Sequence, residues 1–180
     1  ITAVGSLALT ANIGGTQNTA VGYSAASGNT TGTGNTVMGY QSMPNNQTGI
    51  NNTLMGASTL TAVATAVSNV TAVGFNACRV NTANEITAFG SSALTANIGG
   101  TQNTAVGYQT LYRNTTGTNN TAVGYKAQSS ITTGVVSVTA FGCNASKDNS
   151  GNYVTAVGDG ACAVNAVNDT TAFGYNALTA

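Results

Sequence analysis

The sequence predicts an all-β chain, a parallel β-solenoid of about eleven coils of about 17 residues each. Three observations carry that prediction. The tetrapeptide Thr-Ala-Val-Gly, or a close variant, recurs eleven times, with glycines from Gly5, Gly22 and Gly39 to Gly142, Gly158 and Gly174 spaced 16 to 18 residues apart. Residue types within the repeat alternate with a period of two and favour β-branched side chains. A single proline, Pro44, interrupts 180 residues, so long runs of backbone pairing are open to the chain.

Each part of the coil follows from its residues. Threonine opens the motif in all eleven coils, and alanine follows in nine, with Val37 and Leu54 as the exceptions. The third position is always large and apolar, as in Val4, Met38, Phe89 and Phe173. Such a segment reads as a short strand. Glycine closes it, and an aromatic follows in six coils, at Tyr23, Tyr40, Phe75, Tyr108, Tyr125 and Tyr175. Three residues past the glycine the side chain is small, as at Ala25 and Ala93, and the next is usually apolar, as at Leu9, Met43, Leu60 and Leu111. Polar runs such as Gly28 to Asn35 then supply turns. A coil this short cannot hold a strand, a helix and their connections, but it can hold two short strands and two turns. Stacked coils place like over like at roughly 4.8 Å, so eleven rungs span on the order of 50 Å. The expected interior is filled by the Val and Leu columns. The Ala and Gly columns are expected to form a flat outer face that a second chain approaches closely.

A slower period overlies the first. Ile1 to Tyr23 returns almost unchanged as Ile86 to Tyr108, and a third start runs from Thr171 to Ala180. The chain is therefore one solenoid domain over 1–180, built of five-coil units at 1–85 and 86–170 and the beginning of a third at 171–180. Starting and stopping in mid-repeat, it reads as a segment of a longer protein. Tandem duplication of this kind suits an elongating fibre.

Composition narrows the function. Charged residues are 4% of the chain, against roughly a quarter in ordinary soluble proteins. Four cations balance four acids. No net field attracts nucleic acid or an anionic bilayer, and no run has the length of a membrane span. Moderate hydropathy without net charge also argues against disorder.

Asn18-Thr19-Ala20-Val21-Gly22 and Asn103-Thr104-Ala105-Val106-Gly107 resemble the Ser-Val-Ala-Ile-Gly repeat of the YadA-like heads of trimeric autotransporter adhesins, and Ser92-Ala93-Leu94 continues the match. Related repeats occur in phage and algal-virus fibre proteins. The resemblance spans essentially the whole chain. It implies a left-handed β-roll, three chains side by side, and display outside the cell, on a cell surface, a virion or a secreted filament.

The expected role is accordingly a non-catalytic structural or adhesive fibre segment. Its expected partners are copies of itself, as a side-by-side homo-oligomer or an end-to-end filament, and a host glycan or extracellular matrix. No cofactor is expected. Histidine is absent, which removes nucleophile triads, and no CxxC pair offers a zinc site. One Glu and three Asp, none before Glu85, give no glycosidase pair and too few ligands for a calcium-binding solenoid. Gly14-Gly15 and Gly99-Gly100 lack the following lysine of a phosphate loop and read as tight turns. Cys78 and Cys162 share the apolar column and read as core residues. Cys143 lies in the coil before Cys162, which leaves a rung-to-rung disulfide open, although their columns differ.

Three surface readings accompany the fibre reading. The tyrosine column (Tyr23, Tyr40, Tyr108, Tyr125, Tyr175) either stacks on itself or offers a strip for sugars or a receptor, together with Asn and Thr. Among eight Asn-x-Ser/Thr sequons, the turn residues Asn29 and Asn114 are the expected acceptors if the fibre carries glycans. The unbroken threonine column raises ice binding, although each strand supplies one threonine and not an outward pair.

Overall fold

The computed structural model describes residues 1–62, 66–131, 134–164 and 166–179. It is the predicted all-β parallel solenoid. Eleven short strands pair in strict sequence order into one sheet: β1 (Thr2–Val4), β2 (Thr19–Val21), β3 (Thr36–Met38), β4 (Thr53–Met55), β5 (Val70–Val73), β6 (Ile86–Phe89), β7 (Thr104–Val106), β8 (Thr121–Val123), β9 (Thr139–Phe141), β10 (Thr155–Val157) and β11 (Thr171–Phe173). Every neighbour is parallel and in register, threonine over threonine from Thr2–Thr19 to Thr155–Thr171. No helix occurs among the described residues.

The glycine that closes each strand is fixed by this stacking. Its φ lies between 119° and 144° in all eleven coils. A Cβ built on Gly22 would meet the Gly39 carbonyl oxygen at 2.6 Å, and one on Gly5 would meet that of Gly22 at 2.7 Å. The glycine column therefore packs against the next rung of its own chain. It is not a face kept open for a partner, as the sequence reading expected.

The strand faces are likewise the reverse of the expectation. The middle residue of the motif points inward: Ala20, Val37, Leu54, Ala88, Ala105 and Ala140 are all fully buried. The large third residue points out, with Phe89 and Phe141 each 47% exposed. Both phases satisfy a period of two, so alternation alone does not choose between them. Interior width chooses. Leucine and methionine from the opposite limb (Met43, Leu60, Leu94, Leu111) occupy the lumen as fully buried side chains, leaving mostly alanine-sized space on the strand side. The Leu column is thus in the core, as expected, and the Val column is not.

The opposite limb is not the second strand that the coil length allowed. Two residues per coil, at the second and fourth positions past the glycine, adopt left-handed geometry, as in Ser58 (φ 56°) and Leu60 (φ 49°) or Gln109 (φ 52°) and Leu111 (φ 50°). A non-glycine residue there costs roughly 1–2 kcal/mol. Inter-coil hydrogen bonding offsets the cost. The N–H of Gln109 donates back to the Ser91 carbonyl at 3.1 Å, and the N–H of Leu111 donates forward to that of Ala127, also at 3.1 Å. The alternating bonds continue the rung-to-rung ladder while the chain turns tightly, and they aim the leucine inward.

The same column contains a polar interruption. Gln128 follows Leu111 in it and is fully buried, and neither Nε2 nor Oε1 has a partner; the Ser146 hydroxyl one coil on is also unpartnered. An unmade buried hydrogen bond costs roughly 1–3 kcal/mol. Gln128→Met keeps the volume and is expected to raise stability by about 1–2 kcal/mol, read as a higher urea midpoint. A loss of stability would show that the amide is satisfied, for instance by buried water.

Candidate interaction surface

Because the rungs are in register, each outward position becomes a column along the fibre axis. Two such columns come from the strand. Threonine lines one, and Val, Met or Phe lines the other; within the latter Val4, Met38, Met55, Phe89, Val106, Phe141 and Phe173 are exposed. The aromatic column runs beside it, one residue past the glycine. Tyr23 and Tyr40 stack with ring centroids 5.4 Å apart and planes at 16°, and Tyr108 and Tyr125 do so at 5.5 Å and 15°. Tyr175 is exposed in the last coil. These four tyrosines therefore stack on one another in pairs, and each residue stays about half exposed.

The asparagines divide into inner and outer sets, a distinction the sequence reading missed. Asn18, Asn35 and Asn52 precede successive strands and are buried. Each uses Oδ1 to accept the N–H of its counterpart one coil on: Asn35 to Asn18 at 2.9 Å, Asn52 to Asn35 at 3.0 Å, and Val70 to Asn52 at 3.0 Å. Each Nδ2 crosses the coil to a turn carbonyl, for example Asn35 to Gly49 at 2.9 Å. Asn103 and Asn120 repeat the arrangement in the second unit. The signal was available in the phase: these asparagines fall two residues before the inward strand residue (Ala20, Val37, Leu54, Ala105, Ala122), on the same side of the strand.

Asn29 and Asn114 form part of a second inner set. Asn29 donates through Nδ2 to Asn12 Oδ1 at 2.8 Å, and Asn114 donates to Asn97 Oδ1 at 3.1 Å and to the Gly117 carbonyl at 3.0 Å. Both are buried, so neither amide nitrogen is open to a glycan in the folded coil. That corrects the sequon expectation, which rested on their turn position without the inward phase. The exposed sequon asparagines are Asn51, Asn69, Asn119 and Asn168.

Cys78 and Cys162 are buried in the apolar column, Cys143 is half-buried, and none forms a disulfide. Desolvation pushes the Cys78 thiol well above its ordinary value, which keeps it protonated and unreactive. Among the described residues no cluster of three metal-ligating side chains occurs, and no helix is long and apolar enough to cross a membrane. Comparison with protein-family models, curated proteins and solved structures finds no match, so nothing there identifies a YadA-like repeat.

Proposed function

We propose that this chain is a structural and adhesive segment of an extracellular fibre, on a cell surface, on a virion or in a secreted filament, and that it acts without catalysis. The observation that supports this most is the outward apolar column, which repeats on every rung beside the tyrosines. Soluble monomers rarely leave a continuous apolar patch beyond a few hundred Å². The partner whose side chains recur at the same interval of roughly 4.8 Å along the same axis is a second copy of the chain. Side-by-side association, in three chains as the family resemblance implies, covers the column and leaves the polar turns outside. Backbone pairing through the whole length then makes a stiff spacer.

Sedimentation of the folded chain is expected to give a three-chain mass. Replacing Phe89, Val106 and Phe141 together by lysine is expected to give single chains that keep the wild-type β spectrum. A monomeric wild type, or a compact globule by small-angle scattering, would overturn the proposal.

Exposed stacked rings favour a second reading, in which the tyrosine column binds glycans or a receptor. Tyr108→Ala with Tyr125→Ala would then abolish binding on a glycan array while leaving the mass unchanged. The outward threonine column supports ice binding only weakly, with one hydroxyl per rung, and a thermal hysteresis assay checks that use.

A further inference from the structure

The chain has only four cations, and three of them meet. Arg113, Lys126 and Lys147 line one open cleft of about 240 Å³, together with Gln109, Tyr112, Ser129 and Ser130. They come from three successive coils, at different offsets from their glycines: Arg113 six past Gly107, Lys126 two past Gly124 and Lys147 five past Gly142. No repeat position dictates this convergence. It follows from the regular stacking of the limb that succeeds each glycine, in which the Ser130 N–H donates to the Lys147 carbonyl of the next rung at 3.0 Å. No acid lines the cleft; Asp148 follows Lys147 in sequence but is exposed outside it, and Glu85, Asp159 and Asp169 belong to other coils. Lys126 Nζ lies 5.2 Å from the centre of the Tyr125 ring, a cation–π contact that holds its charge at the edge of the cleft.

Like charges held together repel, and a surface otherwise almost without charge has no background to dilute them. The cluster is at its most stable with an anion between the side chains. The remaining lining consists of groups that hydrogen-bond to neutral hydroxyls: two serine hydroxyls, a glutamine amide and a tyrosine. We propose that this cleft binds a sulfated oligosaccharide, with sulfates held by Arg113, Lys126 and Lys147 and sugar hydroxyls held by Ser129, Ser130 and Gln109. Three cations on three successive rungs, the rungs roughly 4.8 Å apart, suit a short polyanion that crosses those rungs. They are too few for duplex nucleic acid, whose binders commonly neutralise about six to ten phosphates. The three cations are not among the outward apolar residues of the strand, although Lys126 lies against Tyr125 of the neighbouring tyrosine column.

The test is calorimetric titration of the full chain, in whatever assembly it forms, with a heparin hexasaccharide. Parallel titrations use its desulfated form, inorganic sulfate and a DNA duplex. Binding of the sulfated hexasaccharide is expected, weakening as salt rises. Each of Arg113→Gln and Lys147→Gln is expected to weaken it about tenfold, and the triple change with Lys126→Gln to abolish it. Unaltered binding by the triple variant, equal binding of the desulfated sugar, or equal or tighter binding of DNA or of sulfate ion alone would each overturn the proposal. Sedimentation of the same variants stays at the wild-type mass, so failure here is distinct from failure of the fibre reading.

Discussion

Gly74→Ala is expected to lose about 4 kcal/mol or more, while the same change at Gly174 costs only about 1–2 kcal/mol. The two glycines occupy the same column and share the unusual backbone, with φ of +130° and +119°. The conformational penalty is therefore nearly common to both. Sterics separate them. A methyl on Gly74 would lie 2.6 Å from the Gly90 carbonyl carbon and 2.7 Å from its oxygen, whereas a methyl on Gly174 meets nothing within 4 Å. The neighbour at Gly74 is backbone and cannot rotate away, so the rungs must part. Val73 O accepts the Gly90 N–H at 2.8 Å, so parting these rungs opens that ladder bond, and a shift of β5 instead strains the bond from the Gly74 N–H to Met55 O, also 2.8 Å. Repeat stacks need not unfold in one step, so amide exchange read coil by coil is the suitable measurement. Protection should fall around β5 and β6 in Gly74→Ala and only near β11 in Gly174→Ala. Equal losses would show that the column is set by φ alone and not by the approach of the next rung.

The contrast bears on what a sequence of this kind reveals. Parallel, in-register stacking was legible because the glycine and threonine columns demand it. A residue that tolerates no Cβ at a fixed interval reports a backbone lying against a backbone. The inward phase was not legible. Thr-Ala-Val-Gly satisfies a period of two whether Ala or Val faces the core, and the usual preference for burying the larger side chain pointed the wrong way. What settles the phase is distant in the repeat: Leu60 or Leu111 enters from the far limb through a left-handed residue, a geometry that leucine disfavours and that its identity does not announce. The same error hid the inner asparagines, since their turn-like composition reads as surface unless the phase is known. The cationic cleft was hidden for another reason. Arg113, Lys126 and Lys147 share no column, so alignment on the glycines keeps them apart although they line one cleft of the stacked coils.

The inner asparagines carry the second large effect, at Asn120. Its Oδ1 accepts the Val138 N–H at 3.0 Å, its Nδ2 donates to the Val135 carbonyl at 2.9 Å, and its own N–H is held by Asn103 Oδ1 at 3.0 Å. Asn120→Leu fills the space but leaves a buried donor and a buried acceptor without partners, each costing roughly 1–3 kcal/mol. A total loss of about 3 kcal/mol is expected. Asn120→Asp keeps an acceptor for Val138 but turns a carboxylate toward the Val135 carbonyl in a buried site, so at neutral pH it is expected to be worse than leucine. Acid separates the two variants. Burial raises the folded pKa of the introduced carboxyl above its unfolded value of about 3.9. The folded state then binds the proton more tightly, so the Asn120→Asp variant is most stable below the unfolded pKa and weakens as pH rises toward the folded one. Once protonated, the carboxyl donates to Val135 as the amide did. Urea midpoints measured from about pH 3 to pH 8, with the wild-type profile subtracted, should fall with rising pH for Asn120→Asp and stay level for Asn120→Leu. A level profile for both would mean that the site is wet, and the asparagines would then be turn formers at a surface and not the polar seam that locks one coil to the next.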